Sequence, residues 1–282
     1  MGRAGSVKDI ALETVRRAGR NNITIVAAGV AFYVFLAMVP LIAATVLVYG
    51  LVAEPAMVER HIGALREALP AEAAELFADQ LRSVVESSDG KKGLGLIAAM
   101  ALALFGARNG AASVLTALNI AHGVPEARNL LKANLVALAI TAGGVMAIIV
   151  AVGAMATMAT LTRLLPLDTA MLGTIGTYLI SGLVGTAGVA TLFRFAPNRT
   201  PPHWKAVLPG AALTAIGWLL LTMSFGLYVS NFGNFNATYG SLSAVAILLT
   251  WLWASALILM LGAELNAALG DRRAGHRGLD VG

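Results

Sequence analysis

Arg108 stands in the most unusual chemical setting of this 282-residue sequence. It is the one charged residue in a long apolar run, about 93–122, and Asn109 follows it directly. A cation near the centre of a bilayer costs several kcal/mol unless a partner or water stabilises it. We therefore expect Arg108, with Asn109 beside it, either to bind an anionic group, such as a lipid phosphate or carboxylate, in a hydrated cavity, or to form a structural pair or cap backbone carbonyls freed by a break at the neighbouring glycines.

Five residues, most of them glycine or proline, indicate where helices could pack closely or bend. Gly106 and Gly110 flank Arg108 at a spacing of four, which permits either close helix packing or a local break that lines a cavity. Pro40 lacks an amide donor and would kink the first apolar helix. Tyr239 and Gly240 end an uncharged loop that could be an ordered interfacial turn or a substrate gate. These five residues are the predicted gate or hinge.

Three more polar residues lie towards the ends of apolar runs: Asn119, Glu264 and Asn266. Glu264 is the only acid within the last four apolar runs. The carboxylate and the amides could coordinate a proton or an ion, or they could hydrogen-bond within the protein. An ion pair between Arg108 and Glu264 is a further alternative. Together with Arg108 and Asn109, these three residues form the predicted substrate-binding set.

Residues for enzymatic chemistry are not grouped in this sequence. There is no cysteine, and the four histidines are isolated, without an HExxH or HxHxDH spacing that would hold a catalytic metal. No Walker loop and no GxSxG elbow occurs, and the lack of an ATP site argues against a primary pump. We expect no enzyme activity, no catalytic residue, no metal site and no cofactor.

The elements that must position these residues are apolar helices. The chain is 58% hydrophobic and 12% charged, with a mean hydropathy of +0.78, which leaves too little polar surface for a soluble domain. A span needs about 20 apolar residues. Six runs meet this length, so the predicted fold is an all-α polytopic membrane protein with six transmembrane helices. The spans are expected at about 21–53, 93–122, 133–162, 169–193, 206–228 and 242–269.

Three polar segments complete the predicted organisation around the 21–269 membrane domain. Residues 1–20 form a cytoplasmic amphipathic segment that is retained, because it lacks a cleavable signal pattern. Residues 54–92 form a helical extracytoplasmic cap, which acts either as a lid or as a packed connector. Residues 270–282 form a basic cytoplasmic tail.

The distribution of basic residues predicts the orientation. Thirteen of the 20 lysines and arginines fall in four segments that lie on one side of the six predicted spans, and six fall on the other side. Cation-rich short loops stay in the cytoplasm, so both termini are expected there. The net charge of +5 is therefore interpreted as topology, and the dispersed cations argue against a nucleic-acid partner.

Two longer segments, Asn22–Leu41 and Tyr239–Ala268, are similar to the YihY/BrkB family. The tripeptide Ala-Leu-Asn at 117–119 and Phe-Ala-Pro-Asn at 195–198 extend this similarity over almost the whole chain. The resemblance implies a multi-pass protein of the bacterial cytoplasmic (inner) membrane with six helices. The family was formerly labelled ribonuclease BN, which is regarded as a misassignment, so the resemblance supplies no mechanism.

The predicted function is binding or translocation of an amphipathic anionic substrate, such as a lipid, through a polar intramembrane cavity. The alternative is a non-transporting scaffold for envelope assembly. A cavity containing Arg108 would favour transport, and a solid bundle with Arg108 paired would favour the scaffold. Membrane lipids are the predicted partners, and envelope proteins and an oligomer are left open.

Overall fold

A computed structural model describes residues 7–52, 89–129, 131–143, 146, 170–231 and 241–279. These residues form seven α-helices joined by turns and short loops, and this part of the chain contains no strand. The helical fold predicted from the sequence is therefore confirmed for the described residues. The helices are α1 Val7–Arg20, α2 Ile23–Val52, α3 Asp89–Ala121, α4 Leu131–Gly143, α5 Ala170–Phe195, α6 Trp204–Asn231 and α7 Ser241–Leu279.

Three of these helices are long and apolar enough to cross a membrane. The apolar windows are Tyr178–Phe195 in α5, Trp204–Tyr228 in α6 and Val245–Arg272 in α7. A fourth crossing results if α1 and the first part of α2, which are bent by 64° from each other, count as one broken span. Large apolar side chains on α5 and α6 are exposed, as a lipid-facing surface requires: Leu179, Leu183, Leu213, Leu220, Met223 and Leu227.

Several predictions fall on parts of the chain outside the described residues. The predicted cap at 54–92 lies there except for the last four residues, which begin α3. Tyr239 and Gly240 also lie outside the described residues, and the predicted span at 133–162 is described only at its beginning, in α4. These assignments stay predictions, and so does the count of six spans.

The chain divides into two compact units. The first comprises Met1–Phe32 and Ala111–Gly282, and the second comprises Tyr33–Gly110. In the first unit, α6 packs against both α5 and α7, and α1 packs against α7. The buried residues here are mostly small, which lets the helix backbones approach closely. They include Val189, Ala190, Phe193, Val207, Ala211, Ala215, Ala256 and Ala263.

A sharp corner separates α1 from α2. Asn22 has a φ of 48°, in the left-handed region that asparagine tolerates better than most residues. The amides of Asn21 and Asn22 bond back to Arg17 O and Gly19 O, while Asn22 O accepts from the amide of Ile25. The corner therefore ends one helix and starts the next within two residues.

The end of α3 is a Schellman turn built on Gly123. Its φ is 64°, its amide bonds to Ile120 O at 3.0 Å, and the amide of Val124 bonds to Asn119 O at 3.0 Å. Glycine takes this conformation at no steric cost. The turn directs the chain out of α3 into the loop at 122–129.

In the second unit, α2 and α3 approach closely at Gly106. A Cβ on Gly106 would lie 2.8 Å from Ala37 Cα, so no side chain fits between the two backbones. Gly110 has more room, since its Cβ would lie 3.8 Å from Tyr33 O. Helix α3 runs without a break past both glycines, and Pro40 lies within α2. The structure thus has close helix packing at Gly106, and the gate or hinge role of Gly106, Gly110 and Pro40 stays a prediction.

Candidate functional site

Glu264 is the most buried ionisable side chain among the described residues of the first unit. It lies in α7 with 0% exposure and accepts two hydrogen bonds from residues at the end of α1. Arg17 Nε donates to Oε2 at 3.2 Å, and Asn21 Nδ2 donates to Oε1 at 2.5 Å. A buried carboxylate needs such charged or polar donors, because burial without them would be very costly. Glu264 is therefore held by α1.

Arg17 connects three parts of the first unit. Besides Glu264, its guanidinium contacts Asp271 Oδ2 at 2.5 Å and Ala121 O at 3.2 Å. Ala121 is the last residue of α3, where free carbonyls favour a cation. Arg17 thereby joins α1, the end of α3 and α7. We call Arg17, Asn21, Ala121, Glu264 and Asp271 the Arg17 cluster.

Asn119 joins two loops of the same unit. Its Oδ1 accepts the backbone amide of Asn198 at 2.8 Å, and its Nδ2 donates to Glu126 Oε2 at 2.8 Å. Asn198 also donates from Nδ2 to Pro125 O at 2.9 Å. Two segments that carry the family resemblance, 117–119 and 195–198, thus meet through a direct hydrogen bond.

Arg128 completes this contact between the loops. Its Nε and Nη2 bind Glu126 Oε1 and Oε2 at 2.7 and 2.8 Å, and Nη2 also donates to Ala196 O at 2.8 Å. The hydrogen bonds from Arg128 hold the pKa of Glu126 below its usual value, although partial burial opposes this effect. We call Asn119, Glu126, Arg128 and Asn198 the loop junction.

Asn266 bonds to the backbone of α6. Its Oδ1 accepts the amide of Gly210 at 2.8 Å, and its Nδ2 donates to Val207 O at 3.0 Å. Pro209 lies inside α6 between these two positions and has no amide hydrogen to donate to the helix. The side-chain amide of Asn266 therefore supplies bonds where the proline interrupts the helix.

Helices α6 and α7 cross at a pair of glycines. A Cβ on Gly210 would overlap Gly262 O, and a Cβ on Gly262 would lie 2.6 Å from Gly210 O. Thr214 is fully buried beside them and donates to Gly210 O at 2.9 Å. This is the small-residue packing that lets membrane helices associate. We call Gly210, Thr214, Gly262 and Asn266 the glycine crossing.

The Arg17 cluster and the loop junction lie at one end of the first unit. They bring together parts of the four cation-rich segments of the sequence: α1, the loop at 122–129, the loop at 196–203 and the C-terminal part of α7. The negative charge of Asp271 also opposes the lowering of the Arg199 pKa that burial causes.

Arg108 belongs to the second unit. It is half-buried, and its Nη1 donates to Asn109 Oδ1 at 2.8 Å. The structure therefore joins two members of the predicted substrate-binding set. The other three, Asn119, Glu264 and Asn266, lie in three separate contacts of the first unit and bond to protein groups. The predicted set does not form one cluster within that unit.

Sequence reasoning assigned no role to several residues that form these contacts. Gly210 and Thr214 have the small-xxx-small spacing, which is visible in the sequence. Arg17 and Asn21 gave no such indication, because their partner Glu264 is far away in the chain. The sequence analysis considered Asn198 only as part of a segment, 195–198, that resembles the family.

Apolar helices of spanning length, with small-residue crossings and lipid-compatible exposed faces, define an integral membrane protein. The comparison with known families agrees with this class. The family profile described as "Virulence factor BrkB" matches residues 14–280. The chain belongs to the BrkB (YihY) family, which confirms the resemblance found in the sequence.

Two groups of named proteins are similar to this chain. The ribonuclease-like protein YfkH of Bacillus subtilis is 28% identical over 237 residues, which is 78% of this chain and 80% of YfkH. A UPF0761 membrane protein of Tolumonas auensis is 36% identical over 93 residues, 33% of this chain and 30% of the relative. One of Vibrio cholerae is 37% identical over 81 residues, 29% of this chain and 27% of the relative. The match thus spans less than a third of the two UPF0761 proteins. No solved structure matches the chain.

Proposed function

We propose that the chain crosses the bacterial cytoplasmic membrane six times and keeps both termini in the cytoplasm. The supporting observation is that four cation-rich segments lie at one end of the first unit. Cytoplasmic loops of membrane proteins carry an excess of lysine and arginine. The same end holds α1 and the C-terminal part of α7, which corresponds to an even number of crossings.

Single-cysteine labelling tests this topology cleanly, because the sequence contains no cysteine. Lys8→Cys and Asn129→Cys would react with an impermeant maleimide only after the cells are opened. Ser87→Cys, in the predicted cap, would react in intact cells. Labelling of Lys8→Cys or Asn129→Cys from outside would contradict the orientation.

We propose that the protein binds, and in doing so translocates, an amphipathic anionic molecule, with a lipid favoured. The observation that carries this proposal is the half-buried guanidinium of Arg108, oriented by Asn109 in an uninterrupted apolar helix. Neighbouring Leu102 and Phe105 are exposed, so this part of α3 carries a lipid-compatible surface. A cation in such a setting favours a phosphate or a carboxylate.

Native mass spectrometry of the protein extracted with its lipids tests the binding role. The wild type is expected to retain an anionic lipid that Arg108→Ala loses, and Arg108→Lys should retain part of it if charge matters more than bidentate geometry. Lys132→Ala, which removes an exposed cation from α4, is the matched control. Identical lipid retention in all four proteins would contradict the proposal.

A scaffold for envelope assembly is the second candidate. It is favoured by the dense hydrogen bonding of the Arg17 cluster and the loop junction, which gives one end of the first unit a fixed shape suited to recruiting partners. A lipid-flipping assay in proteoliposomes separates the two functions. Faster movement of a labelled anionic lipid would favour transport, and an unchanged rate together with no selectively bound lipid would favour the scaffold.

We propose no ribonuclease activity for this chain, although the name of YfkH contains that word. Within the described ranges, no three His, Asp or Glu residues form a group that could hold a metal ion. The interpretation from the sequence, that the protein is not an enzyme, stays a prediction. A nuclease assay of the purified protein with and without added divalent metal would test it.

A further inference from the structure

The turn between α5 and α6 carries a cation that contacts two aromatic rings. The guanidinium carbon of Arg194 lies 4.6 Å from the centroid of the Trp204 ring and 5.3 Å from that of Phe195. The two rings meet edge to face at 6.1 Å, and Arg194 Nη1 donates to Pro202 O at 2.6 Å. These contacts hold the guanidinium in one orientation before any ligand arrives.

The positive charge of this turn is not compensated nearby in the sequence. Residues 169–263 contain no aspartate or glutamate, yet the turn holds Arg194, Arg199 and Lys205. Burial lowers the pKa of Arg199, and the negative charge of Asp271 opposes this effect. In the described part of the chain, neither Arg194 nor Lys205 forms a salt bridge, and Lys205 is exposed. Exposed Lys205 can therefore meet an external anion, and half-buried Arg194, whose Nε is buried, adds positive charge beside it.

The same turn lies where two apolar helices end. The spanning window of α5 ends at Phe195, and that of α6 begins at Trp204. Phe195 is 51% exposed, Trp204 is 46% exposed, and Leu208 one turn further along α6 is also exposed. Aromatic residues at the end of a span sit at headgroup level, and cations beside them contact lipid phosphates. Apolar contact area and positive charge therefore occur side by side.

We propose that Arg194, Lys205, Phe195 and Trp204 form a binding site for the headgroup of an anionic phospholipid, separate from Arg108. Arg194 and Lys205 contact the phosphate, and the exposed faces of Phe195, Trp204 and Leu208 contact the glycerol and the upper acyl chain. A soluble anion would use the two cations but not the exposed apolar surface beside them. The composition of the site therefore favours a phospholipid over free phosphate.

Quenching of Trp204 fluorescence by brominated lipids tests this site. The protein is reconstituted in phosphatidylcholine with increasing brominated phosphatidylglycerol, and the Trp204 contribution is obtained by subtracting the signal of Trp204→Phe. We expect brominated phosphatidylglycerol to quench Trp204 with an affinity about 30-fold above that of brominated phosphatidylcholine, which corresponds to roughly two surface cations. Lys205→Ala and Arg194→Gln should each lower this preference to about fivefold, the contribution of roughly one cation.

Two variants serve as controls for this experiment. Lys132→Ala removes an exposed cation outside the turn, and Arg108→Ala removes the cation of the function proposed above; both should retain the preference. Equal quenching by the two brominated lipids in the wild type would overturn the proposal. An equal loss of preference in Lys132→Ala would also overturn it, because a diffuse surface potential would then be responsible. Loss of the preference in excess inorganic phosphate at constant ionic strength would overturn the choice of a lipid.

Discussion

Helix α7 makes two contacts of opposite character within five residues. Glu264 faces α1 and is held by the charged and polar groups of the Arg17 cluster, whereas Gly262 and Asn266 face α6 in the glycine crossing. The first contact depends on charge and reaches across long side chains. The second depends on two backbones touching with no side chain between them.

The difference shows which properties of a residue matter at each place. In the Arg17 cluster, partners must be able to donate to a buried carboxylate, so a change of charge is expected to cost more than a change of shape. In the glycine crossing, one extra methyl group has no space, so shape is expected to matter more than polarity. Four substitutions, taken from the largest expected effect to the smallest, test this contrast.

Removal of the Glu264 carboxylate should have the largest effect. Glu264→Ala leaves Arg17 half-buried without its deepest partner, and we expect the free energy of unfolding to fall by about 3 kcal/mol. Glu264→Gln keeps an acceptor for Asn21 and should cost less. Denaturation of the purified protein in mixed micelles measures both. Equal stability of Glu264→Ala and the wild type would show that charge does not hold α1 to α7.

A methyl group in the glycine crossing should have the next largest effect. Gly262→Ala places a Cβ against Gly210 O and Thr214, and we expect a loss of about 2 kcal/mol in the same denaturation experiment. Gly226→Ala, also in an apolar helix but with open space around its Cα, is the matched control. Because alanine favours helix more than glycine does, this control should not destabilise the protein. Similar results for both variants would contradict the close crossing.

Truncation of Asn266 should have a smaller effect. Asn266→Ala removes two hydrogen bonds to the backbone of α6, and bonds between membrane helices average well below 1 kcal/mol each, so we expect a loss of about 1 kcal/mol. Thr250→Ala is the control, because Thr250 bonds only within α7, to Ala246 O. An effect of Asn266→Ala larger than that of Gly262→Ala would reverse the contrast between polarity and shape at this crossing.

The ion pair of the loop junction should have the smallest effect, and it should depend on pH. Since the pKa of Glu126 is lowered in the folded protein, its stabilising contribution is fully present above the usual glutamate value of 4.5 and is lost as the pH falls through the lowered pKa. Both side chains are partly exposed, so we expect Glu126→Gln to cost less than about 1 kcal/mol at neutral pH. Thermal unfolding from neutral pH to well below 4.5 measures this difference. A difference that grows as the pH falls would contradict the assignment.

The sequence predicted the helices better than it predicted their contacts. Apolar runs near 169–193, 206–228 and 242–269 coincide with α5, α6 and α7, because the length of a hydrophobic run is a local property. Gly106 was singled out correctly as a position where helices could pack closely. Membrane localisation and the family also followed from the sequence.

Long-range partners could not be predicted in the same way. Glu264 and Asn119 were recognised as polar residues that need partners, but the identity of Arg17 and Asn198 depends on how the helices assemble. The left-handed conformation of Asn22 likewise follows from the corner that it occupies, since asparagine is also common in ordinary helices and turns. The spacing of the small residues in the glycine crossing is visible in the sequence. Many small-residue pairs in membrane helices have that spacing, so it does not identify the helix that they pack against.

The bonds of Arg17 also have a consequence for the order in which the protein assembles. Glu264 follows Arg17 by 247 residues, and Asp271 follows it by 254. At a synthesis rate of about 5–20 residues per second, the time between the synthesis of Arg17 and that of its acidic partners is on the order of tens of seconds. Helix α1 can therefore pack against α7 only after α7 has been synthesised. This contact forms only in chains whose translation has reached α7.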